Sequence, residues 1–305
     1  NTTGDFNCAT GFSALNLNTE GDHNSAMGLF ALHWNTIGNN NTAVGSGAIY
    51  SNETGSQNSA FGSNALASNT TGSSNTAIGI SALSFNVSGS NNIGIGKSAD
   101  VGADNFDNAT ALGANATVNA SHKVRIGSAA VTVIEGQVDW TFPSDARFKF
   151  NVRDNDVPGL EFIQKLRPVN YQFDTRKFDQ HLVQKMPDSL RQQRTAAQDY
   201  SASSQRVQTG FLAQEVEQAC QEIGFEFSGL HVPENDIDNY GIAYGSFVPL
   251  LVKAMQEQQA LIEAQQAGLR SQQTEIEKLR SEVNLVKKEL MAELDILRQQ
   301  ITVKQ

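Results

Sequence analysis

The chain has 305 residues, of which 39% are hydrophobic and 18% are charged, and its formal net charge is −10. This length suits about two domains, and the acidic balance argues against binding to nucleic acid or to an anionic membrane, since both need a basic surface. No apolar run approaches the ~20 residues that cross a bilayer, so we expect no membrane insertion.

A repeat with a constant seventeen-residue step occupies the first third of the chain. Its most visible part is a five-residue pattern of Asn, any residue, Ala, an apolar residue and Gly. Copies begin at Asn7, Asn24, Asn41, Asn58 and Asn75, with weaker ones at Asn92 and Ala109. Further Ala, Gly and Asn positions keep the same step. Several positions in phase over five or more copies predict a solenoid in which each copy is one coil.

Each coil is too short for a pair of helices, and Gly, Asn and Ser interrupt it twice, so we predict two short strands and two turns per coil. Paired small and apolar positions, such as Ala60 and Phe61, are expected to stack into a narrow core. Because Ala and Gly bury little area, neighbouring chains are expected to help to cover it. The strict phase disfavours a disordered linker, and the lack of a periodic Asp argues against a calcium-binding roll.

These repeats resemble the head repeats of YadA-like trimeric adhesins, over residues 1–120. The resemblance implies a left-handed β-roll, three copies of which pack side by side. The adhesin repeat is shorter than the repeat of this chain, so each coil here needs a longer turn. Residues 121–142 are rich in β-branched residues and are predicted to form a β connector that ends the solenoid.

Residues 143–245 are predicted to form a small domain of mixed α and β structure. Phe148, Phe150 and Val152 alternate with polar residues, which predicts a half-buried strand. Further predictions are a short helix over residues 159–166, a strand over 169–173, an exposed insertion over 184–206 and a strand followed by a helix over 210–220.

Residues 246–305 are predicted to form a trimeric coiled coil. Apolar residues recur every seven positions, at Met255, Ile262, Leu269, Ile276, Val283, Leu290 and Leu297. The companion positions three residues later are rich in Gln, which fixes the register at some cost in stability. The predicted fold class is therefore a mostly β solenoid, a small α+β domain and a long C-terminal helix, assembled as a trimeric fibre.

Four ordered motifs mark the second half of the chain. They are Pro143-Ser144-Asp145-Ala146-Arg147-Phe148-Lys149, Leu166-Arg167-Pro168-Val169-Asn170-Tyr171, Gly210-Phe211-Leu212-Ala213-Gln214-Glu215-Val216 and Tyr244. Together they resemble the intramolecular chaperone auto-processing domain of endosialidase tailspikes and phage tail fibres, over residues 143–305. The resemblance implies a domain that assembles a trimer, templates the fibre upstream of it and is then often released by self-cleavage.

The same resemblance implies that Ser144 is a nucleophile and Lys149 its general base, with the scissile bond at Pro143–Ser144. Such a pair needs a neutral amine, so Lys149 must be desolvated or lie near other cations, for example Arg147. Residues five apart on a straight strand point to opposite faces. The pair can therefore meet only if the chain bends after Ser144 or if Lys149 comes from another chain. A simple turn before a strand is the alternative interpretation of Ser144-Asp145.

The predicted function is that of a trimeric tail-fibre or tailspike tip protein in a virion tail or extracellular particle. Its expected partners are two further copies of the chain, a host or cell-surface receptor (glycan or protein) and upstream fibre or baseplate components. No cofactor or metal is predicted, since the His residues have no metal-ligand spacing. Any enzymatic activity would be one turnover of autoproteolysis per chain.

A bacterial cell-surface adhesin head is the alternative function, and a dedicated serine protease is a minor one. An adhesin anchored as an autotransporter is expected to end in membrane-spanning strands. The sequence instead ends in a polar coiled-coil pattern at residues 301–305, which favours the fibre.

Overall fold

The computed structural model describes residues 2–153, 156–195 and 198–303. The chain divides into two compact units. Unit 1 comprises Asn1–Pro143, Pro168–Ala213 and Leu230–Gly241, and unit 2 comprises Ser144–Arg167, Gln214–Gly229 and Ile242–Gln305. The first boundary between them coincides with the predicted scissile bond.

Unit 1 begins with the predicted β-solenoid, which the structure confirms. One short strand from each coil contributes to a single parallel sheet of eight strands. The strands are β1 (Cys8–Thr10), β2 (Ser25–Met27), β3 (Thr42–Val44), β4 (Ser59–Phe61), β5 (Thr76–Ile78), β6 (Ile93–Ile95), β8 (Thr110–Leu112) and β10 (Val124–Ile126). Equivalent residues of adjacent coils pair in register, as Ala43 does with Ala60, and only the last step, from Thr110 to Val124, is shorter than the repeat.

The prediction of two strands per coil is wrong for most coils. Within the described residues a second strand occurs only in two late coils, as the parallel pair β7 (Asp100–Val101) and β9 (Thr117–Val118). Elsewhere that side of the coil is built of turns, in which residues such as Ser81 and Leu83 have left-handed backbone conformations. Such conformations break the extended geometry that a strand requires.

The predicted core is half right. From the second coil onwards the Ala of the five-residue pattern points inwards and is buried, as at Ala43 and Ala60, whereas the following apolar residue points outwards, so that Phe61 is 44% and Ile78 42% exposed. The reason is that successive side chains alternate between the faces of a strand. The large apolar side chains of the core come from a different position of the repeat, which holds Leu15, Leu32, Ile49, Leu66 and Leu83. These residues have φ between 48° and 56°, a strained conformation that costs about 1–3 kcal/mol each.

Buried asparagines form a ladder along one corner of the solenoid. The Asn52 side-chain amide donates to Asn35 Oδ1 at 2.7 Å and to the Gly55 carbonyl at 2.7 Å. Asn69 in turn donates to Asn52 Oδ1 at 2.9 Å. Each buried amide is therefore satisfied by its own coil and by the adjacent coils, as buried polar groups must be.

Glycine is required where adjacent coils approach most closely. Gly62 has φ +139°, and a Cβ atom there would lie 2.5 Å from the Gly79 carbonyl oxygen of the next coil. A residue with a side chain would be strained and would also clash with backbone.

The later segments of unit 1 contain three helices and one antiparallel strand pair. The helices are α2 (Thr175–Leu182), α3 (Asp188–Thr195) and α4 (Ser201–Gln205), and they lie in the chain between the two paired strands, β11 (Val169–Gln172) and β12 (Val207–Gly210). The predicted strand over residues 169–173 is confirmed. The interpretation of residues 184–206 as an exposed insertion is wrong, because Arg194 and Tyr200 are only 3% and 5% exposed. The two-residue strand β13 (Leu230–His231) also lies in this part of the chain.

Unit 2 is built around Phe162 of α1 (Leu160–Ile163), which is fully buried. Its ring lies 5.6 Å from that of Phe225, 5.7 Å from that of Phe227 and 6.4 Å from that of Phe247. The remaining elements are α5 (Ala213–Ile223), β14 (Gly241–Ile242) and α6 (Phe247–Val303). The predicted helix before residue 168 and the predicted helix that follows residue 210 are both confirmed.

The long C-terminal helix α6 is confirmed as a helix, and Lys304 and Gln305 lie outside the described residues. Its first turns pack in unit 2, where Leu250 and Ala254 are buried and Glu257 accepts a hydrogen bond from the Leu160 amide at 2.8 Å. Every described side chain from residue 258 onwards is exposed. No helix in the described part of the chain is long and apolar enough to cross a membrane.

Candidate functional site

Ser144 and Lys149, the predicted dyad, lie within hydrogen-bond distance, and the Lys149 Nζ donates to the Ser144 Oγ at 2.7 Å. A turn of 3-10 helix, Ala146–Phe148, brings them together. The Asp145 side chain caps this turn by accepting a hydrogen bond from the Arg147 amide at 2.9 Å, a common role for Asp at a helix start. The chain thus bends directly after Ser144, which is the condition under which both residues can come from one chain.

Arg147 is paired with Asp145 rather than directed at the dyad. Its Nε lies 2.9 Å and its terminal nitrogen 2.5 Å from Asp145 Oδ2. Hydrogen bonding within the pair lowers the pKa of Asp145 and raises the pKa of Arg147. Because the pair is neutral as a whole, it adds little positive field at Lys149.

Apolar side chains flank the candidate bond on both sides and are exposed. They are Val138, Trp140, Phe142, Phe148, Phe150 and Val152, each between 74% and 87% exposed. The half-buried strand predicted for the last three is therefore wrong, because a strand needs a neighbouring strand for its backbone hydrogen bonds and none pairs with them in the described residues. Their spacing of two residues is still that of a surface that buries one face.

The remaining motifs meet in structural contacts. The Arg167 Nε donates to Glu215 Oε2 at 3.2 Å, and this interaction raises the pKa of Arg167. Val169 pairs with Gly210 in the antiparallel pair of β11 and β12. The ring of Tyr244 lies 6.2 Å from that of Phe247. Within the described residues, no three His, Cys, Asp or Glu side chains are placed to hold a metal ion.

A cluster of aromatic side chains, which the sequence analysis missed, lies on the first three coils. Phe30 contacts Phe12, His33 and Tyr50 with ring centroids 5.3 to 6.1 Å apart, and His33 also contacts Trp34 at 5.5 Å. Phe12 is 72% and Trp34 46% exposed. Most equivalent positions of later coils hold small or polar residues, including Asn64, Ser81, Ala67, Ser84 and Ser68, whereas Ile80 and Phe85 are large apolar exceptions. That departure from the repeat is the signal by which the sequence could have revealed the cluster.

Comparison with known proteins identifies the middle of the chain. Residues 144–225 match the family model described as chaperone of endosialidase, peptidase S74. The match begins at Ser144, where the first unit boundary and the candidate bond also lie. Neither a curated protein nor a solved structure matches the chain significantly. Residues 144–225 therefore form a domain of the chaperone of endosialidase family, preceded by a β-solenoid.

Proposed function

We propose that this protein is the trimeric tip of a tail fibre or tailspike, attached to a host or cell surface, whose C-terminal region drives its folding and trimerisation. The observation that carries the proposal is the chaperone of endosialidase domain that follows the solenoid in the chain. Chaperones of this family act on elongated β-structured fibres, and the solenoid is such a structure. The corresponding location is a virion tail or an extracellular particle.

Two seams, that is, rows of exposed apolar side chains that run along α6 and along the solenoid, support the homotrimer. On α6, the seam residues Ile276 and Leu279 are each 50% exposed, and an isolated helix with such a seam gains little stability in water. The solenoid carries a second seam, because the outward apolar residue recurs in every coil after the first, which has Thr10 there. Three parallel copies in register would bury both seams.

Slow assembly is the reason that such a rod needs a chaperone. The thin coils of three chains must come into register with one another, and non-local pairing of this kind between chains is slow. Unpaired coils expose strand edges that aggregate. A domain that first brings three chains together raises the local concentration of the coils and fixes their register.

The dyad geometry supports a single self-cleavage. Lys149 would take the proton of Ser144 Oγ, and this oxygen would attack the Pro143 carbonyl carbon. The peptide nitrogen of Ser144 would then leave as an amine, and water would hydrolyse the resulting ester to release the Pro143 carboxylate. Both side chains are exposed in one chain, so the neutral amine depends on burial of the flanking apolar residues by the other chains. Cleavage is therefore coupled to assembly.

The aromatic cluster supports the attachment role. Contiguous exposed aromatic side chains mark interaction surfaces, and the rings lie at positions that mostly hold small or polar residues in later coils. Residues 1–96 contain no Lys or Arg, which argues against an anionic receptor. Binding of labelled trimer to cells should be lost in Trp34→Ala/Tyr50→Ala but kept in Ser68→Ala, which changes the equivalent of Trp34 two coils later. Equal binding by both variants would exclude this surface.

Two experiments test the chaperone role and the cleavage. Residues 1–142 produced alone should be insoluble, whereas the full chain should give a soluble trimer by light scattering; a soluble trimer of residues 1–142 would contradict the proposal.

If the chain is processed, denaturing mass spectrometry should place the cut before Ser144, and Ser144→Ala and Lys149→Ala should each abolish it. Undiminished cleavage of Lys149→Ala would remove the dyad and leave the assembly role.

A bacterial surface adhesin head is the second candidate function. The Asn-x-Ala-apolar-Gly coils favour it, since the buried Ala and the tight Gly corner are what that repeat provides. Immunolabelling of purified phage-like particles and of cell envelopes would separate the two locations.

A further inference from the structure

Residues on both sides of the candidate bond belong to the same compact unit. Pro168–Ala213 and Leu230–Gly241 follow Ser144 in the chain, yet they pack with Asn1–Pro143 in unit 1. Cutting at Pro143–Ser144 would break one covalent link but would leave this packing in place. The question is whether the contacts are strong enough to hold without the link.

Arg194 of α3 is the first anchor. Its guanidinium is buried and donates hydrogen bonds to the Ser98 carbonyl, to the Thr117 hydroxyl and, at 2.9 Å, to the Asn115 carbonyl. All three acceptors lie on late coils of the solenoid. A buried guanidinium without acceptors is strongly disfavoured. Separation of α3 from the solenoid would remove all three acceptors of Arg194, and water would have to replace them.

Asp238 is the second anchor. Its carboxylate is fully buried and lies 2.6 Å from the Lys123 Nζ of the solenoid. Beside it, the Asn119 side chain donates to the Ile237 carbonyl and to Asn239 Oδ1, both at 2.9 Å. These contacts join the last coil to the segment around residue 237.

An apolar contact fills the space between the anchors. Leu182, Val183 and Met186 are buried in a cluster that includes Phe85 of the solenoid. The backbones also approach closely, because a Cβ atom at Gly102 would lie only 2.9 Å from the Leu182 carbonyl oxygen. Close packing of buried apolar side chains, with hydrogen bonds beside it, is typical of stable interfaces.

We propose that Arg194, Asp238 and the Leu182 cluster form a clasp that keeps the C-terminal portion docked on the solenoid after the chain is cut before Ser144. Cleavage then breaks the peptide bond between Pro143 and Ser144 but does not release the chaperone region. In a trimer three clasps act together, since α6 joins the three C-terminal portions and favours rebinding of any one that opens. The biological consequence rests on the proposed self-cleavage, whereas the clasp itself does not.

The test uses an external cut. A site for a sequence-specific protease is inserted after Phe142, in the exposed stretch, in a Ser144→Ala chain that cannot cut itself. After complete digestion, confirmed on a denaturing gel, both fragments should co-elute as one particle at neutral pH. Separation of the fragments in that buffer would overturn the proposal. Failure of self-cleavage in the unmodified chain is measured separately, by its denatured mass.

Variants assign the retention to the clasp. In the cut protein Arg194→Met should release the C-terminal fragment at least tenfold faster on dilution, whereas Arg191→Met, on the same helix but with a half-exposed side chain, should not. Lys123→Met should also speed release and serves if Arg194→Met fails to fold before cutting. Release as slow as in the unsubstituted protein from both Arg194→Met and Lys123→Met would show that contacts between chains hold the fragment, and would overturn the clasp.

Discussion

The solenoid and helix α6 differ in where they find their partners. In the solenoid, buried Asn and Ala residues of one coil are satisfied and covered by the next coil of the same chain. In α6, by contrast, the side chains described beyond Glu257 are all exposed. The comparison teaches that the solenoid satisfies its buried groups within one chain, whereas α6 leaves its apolar residues uncovered there, as the proposed trimer requires.

The largest effect should come from charging the α6 seam. Ile276→Asp/Leu279→Asp would place three carboxylates in each of two layers of a trimer, at a cost of several kcal/mol per buried charge. We expect light scattering to show a monomer mass in place of the trimer mass. Lys278→Asp, which lies between these residues and off the seam, is the control and should remain trimeric. A trimeric seam variant would show that α6 does not hold the assembly.

Breaking the asparagine ladder should have the next largest effect. Asn52→Ala removes a side chain whose amide and carbonyl both bond within the buried corner, and we expect a loss of about 2 kcal/mol per chain. Urea unfolding followed by circular dichroism measures it. Asn16→Ala, at an exposed position, should have little effect. Equal midpoints for the two variants would mean that coils do not depend on the ladder.

The pH dependence of unit 1 should be smaller and of a definite sign. Burial raises the pKa of Asp100 to about 6, although the Arg194 charge opposes this. Because the pKa of an Asp in the unfolded chain is about 4, the folded protein takes up a proton as the pH falls through 6. The free energy of unfolding should therefore rise by about 1 kcal/mol between pH 7.5 and pH 5.

Asp100→Asn isolates this contribution from those of all other groups in the protein. Between pH 7.5 and pH 5 the free energy of unfolding should rise by about 1 kcal/mol less in the variant than in the unsubstituted protein. Urea midpoints at the two pH values measure this difference. Identical pH profiles for the two proteins would contradict the role of Asp100. Below pH 4 the sign reverses, since the pKa of Asp238 is lowered to about 2 and its protonation destabilises the fold.

The smallest expected effect concerns Glu257, the last residue of α6 that contacts the rest of unit 2 before the exposed part of the helix begins. Glu257→Gln keeps an acceptor for the Leu160 amide but removes the negative charge at the start of α1, which should cost about 0.5 kcal/mol. Glu263→Gln, one and a half turns further along the exposed part of the helix, is the control. A larger loss from the control than from Glu257→Gln would place the boundary elsewhere.

The sequence reveals the coils because their step is constant, and it reveals α6 because its seam is long. It does not reveal which residue of each Ala-apolar pair faces inwards, since turns on both sides of a three-residue strand set its phase. The bend that joins Ser144 to Lys149 depends on a single cap, Asp145. The contacts of Arg194 are hidden for another reason: two of its acceptors are backbone carbonyls, which leave no mark in a sequence.

The constant register has an evolutionary consequence. Since each coil of the sheet pairs only with the coil directly before it and the coil directly after it, an added or deleted coil meets the same kind of neighbour and disturbs no other contact. Recombination between the repeated stretches of the gene would therefore change the reach of the rod in steps of about 4.8 Å. The late coils are the exception, because the proposed clasp depends on contacts with particular residues of these coils. Length variation should therefore be confined to the coils that precede Phe85.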